Sequence, residues 1–102
     1  MFENFDFSPG KVTYNDFNLD PNLPLDEDND GLKEDMFQVV YPQNYAIDVG
    51  WYSGVQQFIV YLIKDCNWEE PIEKIMCTNL NELEEGIESC IKEVNIKLIG
   101  LL

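Results

Sequence analysis

Apolar and polar residues alternate with a two-residue period through the middle of the chain, the pattern of β-strands with one buried face. Three runs in this region have the composition of strands, residues 36–41, 45–52 and 56–64, and the alternation is clearest in the second. Turn-forming Pro, Asn and Gly residues separate the runs, so we predict an antiparallel meander. In the second run the period places Trp51 with its apolar neighbours on one face, and Asp48, Gly50 and Tyr52 on the other. One face of this strand should be buried and the other at least partly solvated.

The third run is apolar on both sides, which suits a central strand covered on both faces, one of them by a helix. A strong helical pattern follows, with apolar residues at the spacing of one helix face: Leu80, Leu83, Ile87, Cys90, Ile91, Val94 and Leu98. Asn79 is the predicted N-cap, with Glu82 three residues later, and Gly100 is a natural stop. The predicted fold is α+β, an antiparallel sheet of four to five strands with the 79–98 helix packed on one face.

The beginning of the chain gives a weaker pattern. One irregular strand can form before Pro21 and Pro24 from these residues: Val12, Tyr14, Phe17 and Leu19. The aromatic residues nearest the terminus are expected to dock it on the sheet: Phe2, Phe5 and Phe7. Residues 72–77 fit a short fourth strand or an irregular crossing. We predict a single domain over 1–102, built from an acidic irregular part (1–35), a β-meander (36–78) and the helix (79–98).

Charge points to the kind of partner. The chain has 20 Asp and Glu against 6 Lys, with no Arg and no His, for a net charge of −14. Such a surface repels nucleic acid and anionic membranes and speeds docking with a basic protein. The missing His removes the usual general base, and the missing Arg removes the usual clamp for phosphates and carboxylates. We therefore predict a binding protein rather than an enzyme, with no cofactor.

Three features of the sequence could indicate a metal site, a catalytic acid or reactive cysteines, and none of them fits the full pattern. Residues 26–31 match the opening half of an EF-hand loop, but Phe37 stands where the bidentate Glu belongs, so we interpret them as a solvated acidic loop without metal. Asp48 is the one carboxylate that strand packing can bury, and an open-face aspartate is a better interpretation than a catalytic acid. The spacing of Cys66, Cys77 and Cys90 fits neither a redox pair nor a zinc ribbon.

Location follows from what the sequence lacks. The amino terminus has neither the basic start nor the continuous apolar run of a signal peptide, and no stretch is long enough for a membrane span. The three cysteines are expected to be reduced. We predict a cytoplasmic protein.

Residues 41–94 resemble immunity proteins of bacterial polymorphic-toxin and contact-dependent growth-inhibition systems. The resemblance is carried by four segments: Ile47-Asp48-Val49-Gly50-Trp51-Tyr52, Phe58-Ile59-Val60, Trp68-Glu69-Glu70-Pro71 and the helix over 80–94. It implies a small α+β protein that binds and blocks the catalytic domain of a cognate toxin. Nuclease toxins of this kind tend to be basic, so the resemblance also implies an acidic inhibitor.

The leading hypothesis is an immunity protein that occludes a basic nuclease domain, with acids of the loop and of the helix's exposed side pairing with its Lys and Arg. The predicted partner-binding residues are Asp26, Glu27, Asp28, Asp30, Glu34, Asp35, Asp48, Trp51 and Tyr52. The alternative is an acidic DNA mimic or adaptor that binds a host nucleic-acid-binding protein, which carboxylates at phosphate-like spacing would favour. A small enzyme or a calcium-binding module is disfavoured by the missing His and the incomplete loop.

Overall fold

Five consecutive strands form one sheet, and a helix follows them. The computed structural model describes residues 5–16, 32 and 34–99. In chain order the elements are β1 (Lys11–Asn15), β2 (Phe37–Val40), a short 3-10 turn (Pro42–Asn44), β3 (Tyr45–Tyr52), β4 (Gln57–Lys64), β5 (Glu73–Cys77) and α1 (Leu80–Ile99). The strands lie in the order β1-β2-β3-β4-β5, and each pairs with the next in antiparallel register. The predicted α+β fold and antiparallel meander are confirmed.

Helix α1 begins where the sequence predicts. The Asn79 side-chain oxygen accepts a hydrogen bond from the backbone N–H of Glu82 at 2.9 Å, which satisfies one of the free donors of the first turn. The Glu82 carboxylate in turn accepts from the backbone N–H and the hydroxyl of Thr78, each at 2.7 Å. These bonds reach one residue further back than an ideal capping box. They tie the end of β5 to the start of the helix.

The helix packs closely on strands β4 and β5 of the sheet. At Gly86 a Cβ atom would lie only 3.2 to 3.5 Å from side-chain atoms of Ile75, Cys77 and Val60, so the helix backbone approaches β4 and β5 there. Four residues of the predicted apolar stripe are fully buried: Leu83, Ile87, Cys90 and Val94. Leu80, at the start of the stripe, is instead exposed.

The described part of the amino-terminal region docks on the same side of the sheet. Phe7 is buried, and its ring centroid lies 5.4 Å from that of Phe37 and 5.8 Å from that of Phe5. This confirms the predicted docking for Phe5 and Phe7. Strand β1 carries an irregularity between Val12 and Tyr14, as expected of an irregular strand. Three residues of the prediction lie outside the described residues: Phe2, Phe17 and Leu19.

The two faces of the sheet differ sharply. The face under α1 is the hydrophobic core, and in β3 it presents Ile47, Val49 and Trp51. We call the other side the open face, and in β3 it presents Asp48, Gly50 and Tyr52. The predicted separation of these two sets by the strand period is confirmed.

Gly50 gives a first testable consequence of this packing. A Cβ atom there would lie 1.8 Å from the backbone oxygen of Glu34, because the segment before β2 crosses Gly50 on the open face. Gly50→Ala should lower the free energy of unfolding by about 1–3 kcal/mol, since backbone must move to admit the methyl group. Gly54→Ala is the matched control, because nothing lies within 4 Å of a Cβ atom there. Urea denaturation of both variants checks this, and equal stabilities would contradict the crossing.

Candidate functional site

The open face carries a line of side chains across the whole sheet. Strand register places one residue from each strand in this row: Tyr14, Gln38, Asp48, Tyr61 and Lys74. Residues directly opposite on neighbouring strands have side chains close enough to interact. The row therefore combines an acidic centre with aromatic neighbours and a single lysine at the β5 edge.

Asp48 lies at the centre of the row and is only 8% exposed, the one charged residue in the described part of the chain that is this deeply buried. Its carboxylate accepts a hydrogen bond from the Gln38 side-chain amide at 3.4 Å, a long contact. The Gln38 side-chain oxygen accepts in turn from the Thr13 hydroxyl at 3.0 Å. A chain of hydrogen bonds thus runs from β1 through β2 to Asp48 and orients the Gln38 amide toward it.

The surroundings of Asp48 disfavour its charge. Burial, with a smaller contribution from the nearby Asp35 carboxylate, raises the pKa of Asp48 to about 6, against the opposing effect of the Gln38 hydrogen bond. At neutral pH the group is still largely ionised. The fold therefore holds a negative charge on a largely buried residue, and among the described residues the long hydrogen bond from Gln38 is what compensates it.

Asp35 reaches this site because of the crossing at Gly50. The Glu34 carbonyl lies directly over Gly50, and the Met36 backbone N–H donates to the Val49 carbonyl at 3.0 Å. The acidic segment is thereby held against β3 just before β2 begins. Asp35 and Asp48 line one shallow pocket of about 400 Å³, together with Thr13, Tyr14 and Gln38.

Tyr61 of the row has aromatic neighbours on both sides. Tyr61 meets Tyr52 and Trp68 edge to face, with centroid separations of 6.3 and 5.6 Å. The Lys74 ammonium lies 6.0 Å from the centroid of the Tyr61 ring. Burial raises the pKa of Tyr52 to about 12, and the Tyr61 hydroxyl and nearby carboxylates add to the effect, so Tyr52 stays neutral. These rings form a continuous aromatic strip beside the acidic pocket.

Large side chains on this face remain accessible. Four of them are between 41 and 46% exposed: Tyr14, Val40, Trp68 and Met76. A second pocket of about 490 Å³ adjoins the first at Gln38 and is lined in part by Val40, Ile63 and Trp68. Contiguous exposed apolar surface next to polar groups is typical of a protein interaction site.

The structure brings together some of the predicted partner-binding residues. Asp35, Asp48 and Tyr52 lie on the open face, and Glu34 is exposed beside them. The predicted contact role of Trp51 is corrected: this ring is 5% exposed, lies on the core face and packs edge to face on Phe58 at 5.1 Å. The remaining predicted residues lie outside the described residues: Asp26, Glu27, Asp28 and Asp30.

Sequence reasoning missed Thr13, Tyr14, Gln38 and Lys74 as members of this site. Gln38 carried a usable signal, because it stands between two apolar residues of a predicted strand and so belongs to the face opposite the core. Pairing it with Asp48 required the strand register. Thr13 and Lys74 gave no such signal, since their strands were the least regular in pattern.

Other groups offer little reactive chemistry. Cys77 and Cys90 are buried free thiols whose pKa values burial raises to about 11 and about 12, so both stay protonated, whereas Cys66 is exposed. No cluster of three or more metal-ligating side chains occurs in the residues that the structure describes, which do not include the 26–31 loop. No helix among them has the length and apolar character needed to cross a membrane.

The arrangement is suited to binding a cationic, partly apolar surface. It offers a buried carboxylate, a second carboxylate at the pocket rim and a strip of aromatic rings, with Lys74 as the one lysine of the row. Comparisons with known protein families, curated proteins and solved structures found no match to this chain.

Proposed function

We propose that the chain is an immunity protein that neutralises a cognate bacterial toxin in the cytoplasm, binding a basic nuclease domain through the open face of the sheet. The observation that carries the proposal is Asp48, a buried and poorly compensated carboxylate set among exposed aromatic and apolar residues in a chain of net charge −14. Charge and aromatic surface together favour a basic protein partner.

The mechanism is occlusion of the toxin's active site. Nucleases bind substrate phosphates with Lys and Arg, and these side chains would pair with carboxylates of the open face instead. The rings of Tyr52, Tyr61 and Trp68 would form the desolvated centre of the contact, since Tyr and Trp are enriched where interface energy is concentrated. Carboxylates at the rim would govern the rate of encounter.

The helix acids fall outside this contact. Because α1 packs on the core face, its exposed side points away from the open face. Glu84 and Glu85 lie on that exposed side, across the molecule from the open face. The sequence-based expectation that loop and helix acids act together at one interface is therefore not part of the proposal.

The direct test uses the product of the neighbouring gene. Purified chain should form a one-to-one complex with that product and suppress its nuclease activity in proportion to the amount added. Size-exclusion chromatography and a nuclease assay measure the two effects. Absence of binding, or binding that leaves the nuclease fully active, would overturn the proposal.

The effect of carboxylates at the pocket rim on the association rate can be separated from the effect of the chain's overall negative charge. The double variant Glu34→Gln, Asp35→Asn should associate about threefold to tenfold more slowly at low salt and show a flatter salt dependence. The variant Glu84→Gln, Glu85→Gln removes the same charge from the helix and should associate almost as fast as the parent. Stopped-flow association over a range of salt concentrations makes the comparison, and equal rates for the two variants would place the contact elsewhere.

A further inference from the structure

We propose that the pocket between β1, β2 and β3 receives an arginine side chain of the partner, with Asp48 as its buried counterion. The inference rests on the proposed function for the basic character of that partner. It adds the chemistry of one specific contact, a guanidinium group held by a carboxylate that is itself part of the folded sheet.

The pocket is built rather than incidental. Its floor is the chain of hydrogen bonds from the Thr13 hydroxyl through the Gln38 amide to the Asp48 carboxylate, at 3.0 and 3.4 Å. Tyr14 forms one wall, and its hydroxyl donates to the Asp16 carboxylate at 3.3 Å, which fixes the ring at the pocket edge. Asp35 lines the pocket from the segment that crosses Gly50. Its volume of about 400 Å³ leaves room for a long side chain to enter.

Among the described residues, no lysine is paired with Asp48. An ionised carboxylate can accept about four hydrogen bonds, whereas within the described residues Asp48 accepts one long bond from Gln38. The lysine in the same row, Lys74, is two strands away and lies over the Tyr61 ring instead. Asp48 is 8% exposed as a residue, and its carboxylate lines the pocket with one long hydrogen bond among the described residues, so a cation that enters the pocket would stabilise it.

The surrounding acceptors fit a guanidinium better than an ammonium. A guanidinium presents five N–H donors in one plane, and the pocket offers acceptors of different kinds: two carboxylates, the Gln38 side-chain oxygen and the Thr13 hydroxyl. It is also more weakly hydrated than an ammonium and stacks on aromatic rings, so Tyr14 provides a matching wall. Lysine would bring a compact, strongly hydrated charge with three donors, which matches these acceptors and the Tyr14 ring less well.

The proposal can be tested on the isolated chain with Nα-acetyl-arginine amide as the probe. In a two-dimensional NMR titration at constant ionic strength, the amide signals of Thr13, Gln38 and Asp48 should shift and saturate at millimolar probe. Nα-acetyl-lysine amide should bind about tenfold more weakly. Nα-acetyl-citrulline amide, which has the shape of arginine without the charge, should cause no saturable shift.

Two variants make the result specific. Asp48→Asn keeps the shape of the side chain and should abolish the arginine-dependent shifts, while Glu85→Gln removes one exposed charge from the helix and should leave them intact. Unchanged spectra elsewhere show that each variant is folded. Shifts that never saturate, that spread over the helix acids, that persist in Asp48→Asn, or that are equal for lysine would overturn the proposal.

This experiment is independent of the toxin test. Saturable arginine binding by a chain that ignores the neighbouring gene product would retain the pocket and reject the immunity function. A tight complex with that product, without arginine binding at Asp48, would retain the function and reject the pocket.

Discussion

Replacing Trp51 with alanine should lower the free energy of unfolding by about 3–5 kcal/mol, the range for removing a large aromatic side chain from a core. The ring lies on the helix side of the sheet, is 5% exposed and packs edge to face on Phe58. Its removal leaves a cavity on the core face beside Phe58. Urea or thermal denaturation measures the loss.

Tyr52→Ala is the matched comparison, because this residue is the next in the same strand and faces the other way. It is half-buried and meets Tyr61 across the strand pair, so its loss should cost less stability than that of Trp51. On the proposed function it should weaken partner binding by about 2 kcal/mol or more, roughly 30-fold, mainly through faster dissociation. If Trp51→Ala folds normally while binding is lost, the assignment of the two faces is wrong.

Asp48→Asn should stabilise the isolated protein at neutral pH, by about 1–2 kcal/mol once solvent screening at the pocket is taken into account. The pKa of Asp48 is raised from 3.8 to about 6 by burial and by Asp35, so the folded chain holds this proton more tightly than the unfolded chain. Stability contributed by the protonated form is therefore present below about pH 4 and is lost as the pH rises through about 6. Asparagine does not titrate and avoids that loss.

The measurement is the difference in unfolding free energy between variant and parent from pH 3.5 to pH 7.5. The difference should be small at the acid end, grow between about pH 4 and pH 6, and level off above that range. Glu85→Gln controls for the general relief of charge repulsion in an acidic chain, because Glu85 is exposed on the helix. A constant difference across the range, or the same growth in Glu85→Gln, would show that Asp48 is not the titrating group.

Local patterns were sufficient to predict most of the fold. The two-residue period in β3 assigns Trp51 and Tyr52 to opposite faces, and the 3.6-residue period over α1 locates the helix and its cap at Asn79. These patterns persist because burial of one face is a strong, short-range constraint on sequence. The two-sided apolar character of β4 identified a central strand for the same reason.

The site was harder to predict because it depends on register and on a crossing. Gln38, Asp48 and Tyr61 come together only when three strands pair at particular residues, and alternation alone does not specify which residues face one another. The approach of Asp35 depends on the backbone at Glu34 passing over Gly50, a contact that no local pattern predicts. Trp51 was wrongly predicted to contact the partner. Aromatic residues are common both in protein cores and in interfaces, so the residue type alone does not distinguish the two.

The alternation of β3 and β4 has a consequence for how such a protein could acquire a new partner. In β3, side chains on the helix side and side chains on the open face occupy alternating positions along the strand. Substitutions at exposed positions of the open face can therefore accumulate without repacking the core, whereas Gly50 must stay small, and at Asp48 a neutral replacement is expected to stabilise the fold. A lineage of such chains could exchange one recognition surface for another in small steps, each step passing through a folded protein.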